Sequence, residues 1–265
     1  MTTGPAVDRA GAPDDCLLHV AGVSRRFGGL LAVDAVDLDV RRGEVVAVVG
    51  PNGAGKTTLF NLLTGQLRPS SGAVWFGGRE ITRLPAHRRA RLGIGRTFQI
   101  VRPFPSLTVA DNVLVGGLAR ERTGRAARAR AAAVLERVVL AHLAEVTAAQ
   151  LTLAQRKRLE VARALAGSPS LLLLDEVMAG LNPAEIERAI SLVRGLAEDG
   201  LTVLLIEHNL RVVRSLAVRV AVLDHGVRIA EGAPDDVLAD AAVVEAYIGR
   251  RRGVSEASRG QEEVS

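Results

Sequence analysis

Residues 50–58 read Gly50-Pro51-Asn52-Gly53-Ala54-Gly55-Lys56-Thr57-Thr58, and this stretch decides the fold of the chain. A strand-like run, Glu44–Val49, precedes it, and a helix-like run, Leu59–Leu63, follows it. That order of strand, loop and helix is the setting in which the pattern G-x-x-x-x-G-K-[ST] binds nucleotide phosphates. The sequence therefore predicts a phosphate-binding loop.

Each part of this loop has a predicted role. Its glycines let successive backbone N–H groups point inward at a triphosphate, helped by the N-terminus of the following helix. Lys56 is predicted to reach the β- and γ-phosphates, and the Thr57 hydroxyl to ligate Mg²⁺. The chain has only two lysines among 34 basic residues, so a lysine here fits the need for a compact point charge. The predicted nucleotide-binding residues of the loop are Gly50, Pro51, Asn52, Gly53, Ala54, Gly55, Lys56, Thr57 and Thr58.

Composition limits the class of protein. The chain has 265 residues, of which 48% are hydrophobic and only 3% aromatic, which fits an α/β core of Val, Leu and Ala. The single Cys16 excludes an internal disulfide and a cysteine-based metal site, and suits a reducing cytosol. Residues 1–15 are polar, so we expect no secretory signal. The longest apolar runs, such as Leu171–Leu174, have the length of strands, so any membrane association must come through a partner.

The net charge of +5 raises the question of nucleic-acid binding. The basic residues are mainly arginines scattered through Ala/Arg-rich helices such as Arg120–Arg130, with no aromatic stacking platform beside them. We therefore expect solvated helix faces and no nucleic-acid partner. A basic surface is also compatible with an anionic inner leaflet.

The periodicity of the chain predicts an α/β fold with three parts. Two strands, Leu17–Val23 and Leu31–Val40, and a hairpin over residues 73–81 form a small N-terminal antiparallel β portion. Residues 108–166 are helical in composition. They carry an apolar stripe of Val134, Leu135, Val138, Val139 and Leu143. From residue 171 strands alternate with helices, which indicates a mainly parallel sheet. The predicted elements there are Leu171–Asp175, Pro183–Glu198, Leu201–Glu207, Leu210–Ser215, Val220–Asp224 and Val227–Ala230.

We therefore predict a P-loop NTPase core with an inserted helical subdomain. The nucleotide-binding domain is expected to span residues 16–249, with the helical subdomain at about 100–165. Residues 1–15 and 250–265 are expected to be disordered tails.

Four leucines followed by two acids form the second chemical motif, at Leu171–Glu176. Such a run suits a strand buried on both faces, with its acids at the carboxyl edge beside the phosphate loop. Asp175 is predicted to hold Mg²⁺ through water, and Glu176 to orient and polarise the attacking water.

Over about residues 17–249 the order of these motifs resembles the ATP-binding subunit of an ABC transporter. In that family Gln99, within Gly95–Gln99, would belong to the Q-loop, where it contacts Mg²⁺ and reports nucleotide state to the membrane domain. His208 would be the switch histidine that contacts the γ-phosphate. Phe27 would stack on adenine; the alternative is a phenylalanine buried in an edge strand.

Further motifs narrow the resemblance. Ala179–Pro183 resembles the D-loop that crosses the dimer interface, although Pro183 also suits the first position of a helix. This stretch, together with Phe27–Val33 and Arg96–Gln99, is similar to branched-chain amino-acid importers of the Liv type, and to the G rather than the F subunit. The ending Glu245–Gly249 agrees with that subunit type.

The family signature L-S-G-G-Q departs from its usual form, because Leu151–Gln155 reads L-T-L-A-Q. The resemblance implies that Thr152, Ala154 and Gln155 bind the nucleotide held by the opposite subunit. Ala154 places a methyl group where backbone and phosphate approach, and any need for positive φ would add strain. Val177 also stands where the family has proline. We hypothesise one weakened composite site, which Ala154→Gly would repair.

The resemblance implies an ATPase that uses ATP and Mg²⁺, with Glu176, His208 and Lys56 as catalytic residues and Thr57, Gln99 and Asp175 around the metal. Its partners would be a second ABC ATPase subunit (in a homo- or heterodimer), permease subunits and, indirectly, an extracytoplasmic binding protein. It would lie on the cytoplasmic face of the inner membrane and energise import of branched-chain or related amino acids.

Two other functions stay open. One is a related transporter, either a urea or amide importer or a lipopolysaccharide exporter. The other is a nucleotide-binding regulatory subunit that hydrolyses ATP weakly, for which Ala154 is the best support. A DNA-repair ATPase is disfavoured because no long heptad segment is present.

Overall fold

The computed structural model describes residues 15–98, 103–118, 120 and 123–247. Its strands are β1 (Cys16–Phe27), β2 (Leu30–Arg41), β3 (Val45–Val49), β4 (Ser71–Phe76), β5 (Arg79–Glu80), β6 (Ile94–Arg96), β7 (Leu171–Asp175), β8 (Thr202–Ile206), β9 (Arg219–Asp224) and β10 (Val227–Gly232). Its helices are α1 (Lys56–Thr64), α2 (Ala86–Leu92), α3 (Val109–Leu118), α4 (Gly124–Arg137), α5 (Leu153–Ala166), α6 (Pro183–Glu198), α7 (Leu210–Leu216) and α8 (Pro234–Ala239). Short 3₁₀ turns lie at Ala141–Leu143 and Ala148–Gln150, and residues 241–247 are helical.

The strands form two sheets, as the sequence predicts. A four-stranded antiparallel sheet has the order β2-β1-β4-β5. A six-stranded sheet has the order β10-β9-β3-β8-β7-β6 and is parallel except at its β9–β10 edge. The predicted α/β fold with a small N-terminal antiparallel portion is confirmed.

The centre of the parallel sheet is buried on both faces, and β3, β7, β8 and β9 each supply side chains to both. In β7, Leu171 and Leu173 pack into one apolar cluster with α1 and the antiparallel sheet. Leu172 and Leu174 point the other way, into a cluster with α5 and α6. Side chains alternate across a strand, so the run of four leucines fills two cores. The loops at the carboxyl ends of these strands therefore stand on a rigid platform.

Helices α3, α4 and α5 pack on one another, and α5 also contacts β6 and β7. Their apolar side chains join the cluster on one face of the parallel sheet. Of the predicted stripe, Val134, Leu135 and Val138 are buried. Val139 is 63% exposed and has φ of 56°, so its place in the stripe is a wrong prediction: α4 ends at Arg137, and the turn rotates Val139 outward.

Two elements were not predicted. Helix α2 has four polar residues among its seven and buries only Arg89, so it lacks an apolar stripe. Strand β6 has three residues, too few for a periodic pattern, and forms the edge beside β7. Residues 1–14 and 250–265, predicted to be disordered, lie outside the described residues. Within the residues that the structure does describe, no helix is long and apolar enough to span a bilayer.

Candidate functional site

The phosphate loop connects β3 to α1 through backbone that only glycine accommodates. Gly50 has φ of 149°, and a Cβ atom there would lie 2.0 Å from the Leu223 carbonyl oxygen. Gly55 has φ of 99°, and its Cβ would lie 2.4 Å from the Ala32 carbonyl oxygen. A side chain at either position would displace backbone of β9 or β2. The glycines therefore fix how closely the loop approaches the surrounding strands.

Lys56 begins α1 and its side chain is buried. The ammonium donates hydrogen bonds to the carbonyl oxygens of Gly50 (2.7 Å) and Pro51 (2.9 Å). The loop thus wraps around its own lysine, which places one positive charge at the N-terminus of α1. Both the charge and the helix N-terminus favour an anion.

A cavity of about 790 Å³ opens over this loop and brings together most of the predicted site. Its lining residues are Phe27, Leu30, Leu31, Ala32, Asn52, Gly53, Ala54, Gly55, Lys56, Thr57, Thr58, Glu176, His208 and His225. Phe27 is 41% exposed, so the alternative of a buried edge-strand phenylalanine is wrong. The Arg25 guanidinium carbon lies 4.6 Å from the centre of the Phe27 ring. An exposed aromatic ring therefore lies in the cavity that the phosphate loop lines.

Glu176 and His208 meet at the carboxyl edge of the parallel sheet. His208 Nε2 donates to Glu176 Oε1 at 2.6 Å. Glu176 follows β7 directly and has a left-handed φ of 50°, and its N–H donates to the Ile206 carbonyl at 3.0 Å. A non-glycine residue held in this conformation costs about 1 kcal/mol or more, which the surrounding structure must supply. The strain sits at the residue predicted to activate water.

Asp175 is the last residue of β7 and is buried. Its Oδ2 accepts a 2.8 Å hydrogen bond from Arg96 Nη2, in an ion pair that the sequence did not predict. Burial raises the pKa of the Asp175 carboxyl, and the Arg96 guanidinium opposes that rise. Asp175 Oδ1 is buried and accepts no hydrogen bond from any residue that the structure describes. One carboxylate oxygen is therefore held by the protein and the other is left for a different donor or a cation.

The signature residues lie away from this cavity, at the N-terminus of α5. Thr152 caps the helix: its Oγ1 accepts from the Gln155 N–H at 3.4 Å, and Gln155 Oε1 accepts from the Thr152 N–H at 2.8 Å. The cap keeps the first turn of α5 in place with its N-terminus outward. In the described part of the chain, Thr152, Ala154 and Gln155 are not among the residues that line the phosphate loop cavity.

Ala154 does not have the strain that the sequence suggested. It lies in the first turn of α5 with helical backbone, outside the positive-φ residues. Its methyl is buried and lines a small cleft with Val177 and Leu181 of the same chain. The methyl therefore faces inward, and the expected backbone penalty is wrong.

The predicted D-loop precedes α6. Asn182 Oδ1 accepts from the Glu185 N–H and Glu185 Oε2 accepts from the Asn182 N–H, both at 2.9 Å. Pro183 occupies the first helical position. Helix initiation thus accounts for part of this motif, as the sequence suggested. Gln99 lies outside the described residues.

Three charged residues whose side chains are buried near Asp175 and Glu176 were missed. They are Arg96, Lys157 and Glu207. Lys157 Nζ donates to the Glu176 carbonyl at 2.9 Å, and Glu207 Oε1 accepts from the Met178 N–H at 3.2 Å. A signal existed for Lys157, because it is the second of the two lysines in an arginine-rich chain.

Comparison with known families shows which family the chain belongs to. The model of the ABC transporter family matches residues 33–179, more than half of the 265-residue chain. The chain belongs to the ABC transporter family. It is an ATP-binding, ATP-hydrolysing cassette. A second model, described as branched-chain amino acid ATP-binding cassette transporter, matches residues 227–252.

Curated relatives cover nearly the whole cassette. The chain is 42% identical over 249 residues to the high-affinity branched-chain amino acid transport ATP-binding protein BraF of Pseudomonas aeruginosa, covering 88% of this chain and 98% of BraF. It is 39% identical over 249 residues to LivG of Escherichia coli K12, with the same coverage. The predicted resemblance to the Liv type is confirmed.

Solved structures agree with this fold. An ABC transporter cassette in its ADP conformation has a TM-score of 0.81 and 33% identity, covering 88% of this chain and 99% of that one. A dimeric cassette in a post-hydrolysis state with ADP and Pi has a TM-score of 0.75 and 28% identity, covering 82% of this chain and 99% of that one.

Proposed function

We propose that this cassette hydrolyses ATP to drive import of branched-chain or related amino acids through a separate permease. The observation that carries the proposal is the cavity in which the phosphate loop faces the Glu176–His208 pair. The names of the BraF and LivG relatives supply the substrate class. The whole-length similarity to them supports carrying that class over as a hypothesis.

The residues of this chain have distinct roles in the proposed hydrolysis. The Lys56 ammonium and the N–H groups at the start of α1 bind the phosphates. Phe27 offers its exposed face to the adenine ring. Glu176 holds and polarises the attacking water, while His208 orients the Glu176 carboxylate through the 2.6 Å hydrogen bond and senses the γ-phosphate.

The donor set also fits Mg²⁺, which supplies charge neutralisation on the β- and γ-phosphates when bound. Asp175 Oδ1 is a buried carboxylate oxygen with no hydrogen bond among the described residues. The Thr57 hydroxyl stands at the first turn of α1, on the cavity wall. Oxygen donors of these two types are what Mg²⁺ prefers. Gln99 is proposed as a further ligand.

We also propose that two cassettes pair head-to-tail, as a homodimer or heterodimer. Thr152, Ala154 and Gln155 of each would then face the nucleotide on the partner's phosphate loop, with the N-terminus of α5 directed at the γ-phosphate. A dimeric cassette of 28% identity supports this arrangement. The assembly would lie on the cytoplasmic face of the inner membrane, bound to permease subunits and served indirectly by an extracytoplasmic binding protein.

The division of the chain into domains remains a prediction. We propose one nucleotide-binding domain over residues 16–249, with the helices of about 100–165 as an inserted subdomain. The packing of α3 and α4 on α5 supports it.

Reconstitution tests the function directly. The chain is co-expressed with its neighbouring cassette, permease and binding-protein genes, and the complex is placed in proteoliposomes with ATP inside. We expect ATP-dependent uptake of leucine, isoleucine or valine and stimulation of ATPase activity by the loaded binding protein. Uptake of urea or an amide instead would show that the substrate class is wrong and that the complex is a urea or amide importer. Outward transport of lipopolysaccharide would show that the complex is an exporter. ATP binding without hydrolysis would favour the regulatory subunit.

A further inference from the structure

Two buried charged side chains hold the same short segment of backbone, one at each end of it. The segment is Glu176–Met178, which follows β7. At one end Lys157, from α5, donates to the Glu176 carbonyl at 2.9 Å. At the other end Glu207, next to the end of β8, accepts from the Met178 N–H at 3.2 Å.

Both side chains are deeply buried, with 8% exposure for Lys157 and 3% for Glu207. Burial lowers the pKa of the Lys157 ammonium, and the negative charges of Glu207 and Glu176 oppose that shift. Burial likewise raises the pKa of Glu207 to about 7, and the Met178 N–H and the Lys157 charge oppose that rise. Burying a charge is unfavourable, and the attraction between Lys157 and Glu207 offsets part of that cost for both groups.

The segment they hold is the strained part of the site. Glu176 has φ of 50°, and this conformation is what brings its carboxylate to His208. Val177, in the middle of the segment, has no proline ring to restrict φ. A segment without that restriction needs its conformation fixed by contacts from outside.

We propose that Lys157 and Glu207 are positioning residues for hydrolysis: together they clamp residues 176–178 and hold Glu176 in its left-handed conformation against His208. The inference rests on the proposed role of Glu176. It also gives α5 a second task, since the helix that offers Thr152 to the partner subunit supports the hydrolytic carboxylate of its own subunit.

The clamp acts on chemistry rather than on nucleotide binding. Lys157 and Glu207 do not line the cavity that holds the phosphate loop. Removing either should therefore misplace Glu176 while leaving Lys56 and the loop as they are. That predicts a fall in kcat at nearly constant KM for ATP.

The test uses the full transporter complex carrying Lys157→Met, Glu207→Met or both; Glu207→Gln, whose amide oxygen still accepts from the Met178 N–H, should keep kcat within a few-fold of wild type. We expect each single methionine variant to lower kcat at least tenfold with KM for ATP within twofold of wild type. The kcat of the double variant should be no lower than that of the less active single variant, because the double variant removes both buried charges together. Lys157→Arg, which keeps a cationic donor, should recover part of kcat.

Arg156→Met is the matched control, because Arg156 is a cation on the same helix whose Nη2 donates to a carbonyl outside the segment, that of Ala149 at 2.8 Å. It should leave kcat within twofold. If Lys157→Met or Glu207→Met does not fold, Lys157→Gln and Glu207→Ala, singly and together, carry the same thresholds.

Folded single methionine variants with wild-type kcat would overturn the clamp, and so would strictly multiplicative losses in the double variant. Wild type and Glu176→Gln are measured beside them. If Glu176→Gln hydrolyses ATP as wild type does, the proposed function itself has failed rather than the clamp.

Discussion

The carboxyl group of Glu207 is buried, and burial disfavours its charged form. Burial raises its pKa from 4.5 to about 7, while Lys157 of α5 and Glu176 face it from the neighbouring elements. The folded state thus binds this proton more tightly than the unfolded state. Its contribution to stability is complete below about pH 4.5 and is lost as the pH rises through about 7.

We therefore expect Glu207→Gln to gain stability relative to wild type between pH 5 and 7.5, by up to about 3 kcal/mol. The amide keeps an acceptor for the Met178 N–H but does not titrate. Urea denaturation of both proteins across this range measures the difference. Parallel profiles for the two proteins would show that Glu207 is charged at all these pH values.

Ala154 gives a second prediction at the scale of the residue. Its methyl faces Val177 and Leu181 of its own chain, in a helical backbone. Ala154→Gly should therefore change the ATPase rate of the complex by no more than about twofold and cost about 0.5–1 kcal/mol of stability through helix propensity. A large stimulation would restore the hypothesis of a weakened signature.

Helix α1, which starts at the phosphate loop, is held at its other end by Arg89. The Arg89 side chain is 1% exposed. Its guanidinium donates to the carbonyl oxygens of Leu62 (2.7 Å) and Leu63 (2.8 Å), in the last turn of α1. It also donates to the carbonyl oxygens of Thr82 and Leu84. Burial without an acidic partner lowers its pKa to about 10. The side chain thus satisfies the Leu63 carbonyl and gives the Leu62 carbonyl, which also accepts from the Gly65 N–H, a second donor.

Arg89→Met should cost about 3 kcal/mol or more, because it leaves several buried carbonyls unsatisfied. Thermal or urea denaturation measures the loss. Arg88→Met is the control: Arg88 is the exposed neighbour on α2, and we expect a change below about 0.5 kcal/mol. Equal effects of the two substitutions would contradict the capping role of Arg89.

The sequence predicted those elements whose chemistry is local. The phosphate loop has a fixed spacing, and the four leucines before Asp175 can fill a strand with two buried faces. Helix α6 was predicted with its correct bounds, Pro183–Glu198, because proline and the preceding Asn182 mark its start. In contrast, α2 and β6 carry too little periodic apolar pattern to be recognised.

Contacts between distant residues could not be predicted. Arg96 pairs with Asp175 across 79 positions, and Lys157 reaches Glu176 across 19. Arg96 and Lys157 are two of the 34 basic residues of the chain, and the sequence does not show which of these reach a distant carboxylate or carbonyl. Only the fold shows which of these charges are buried. The hydrogen bond between Glu176 and His208 also forms with Glu176 in a left-handed backbone conformation, which the sequence does not reveal.

At the scale of the whole molecule, the proposed function gives one chain two different surfaces for nucleotide. The phosphate loop cavity contains Lys56, Glu176 and His208, whereas Thr152 and Gln155 stand apart at the N-terminus of α5. Under the proposed function each chain completes its partner's site. Lys157 then connects the two surfaces within the chain, because it lies on α5 and bonds to Glu176.

We propose that Glu176, held by His208 beside the phosphate loop, is the group that activates water. Glu176→Gln in the reconstituted transporter tests it most directly, since the amide fills the same space and can still accept a hydrogen bond from His208. We predict that ATP still binds and that ATP-dependent dimers accumulate in size-exclusion chromatography, while kcat falls at least a hundredfold. A kcat within a few-fold of wild type would contradict this role of Glu176.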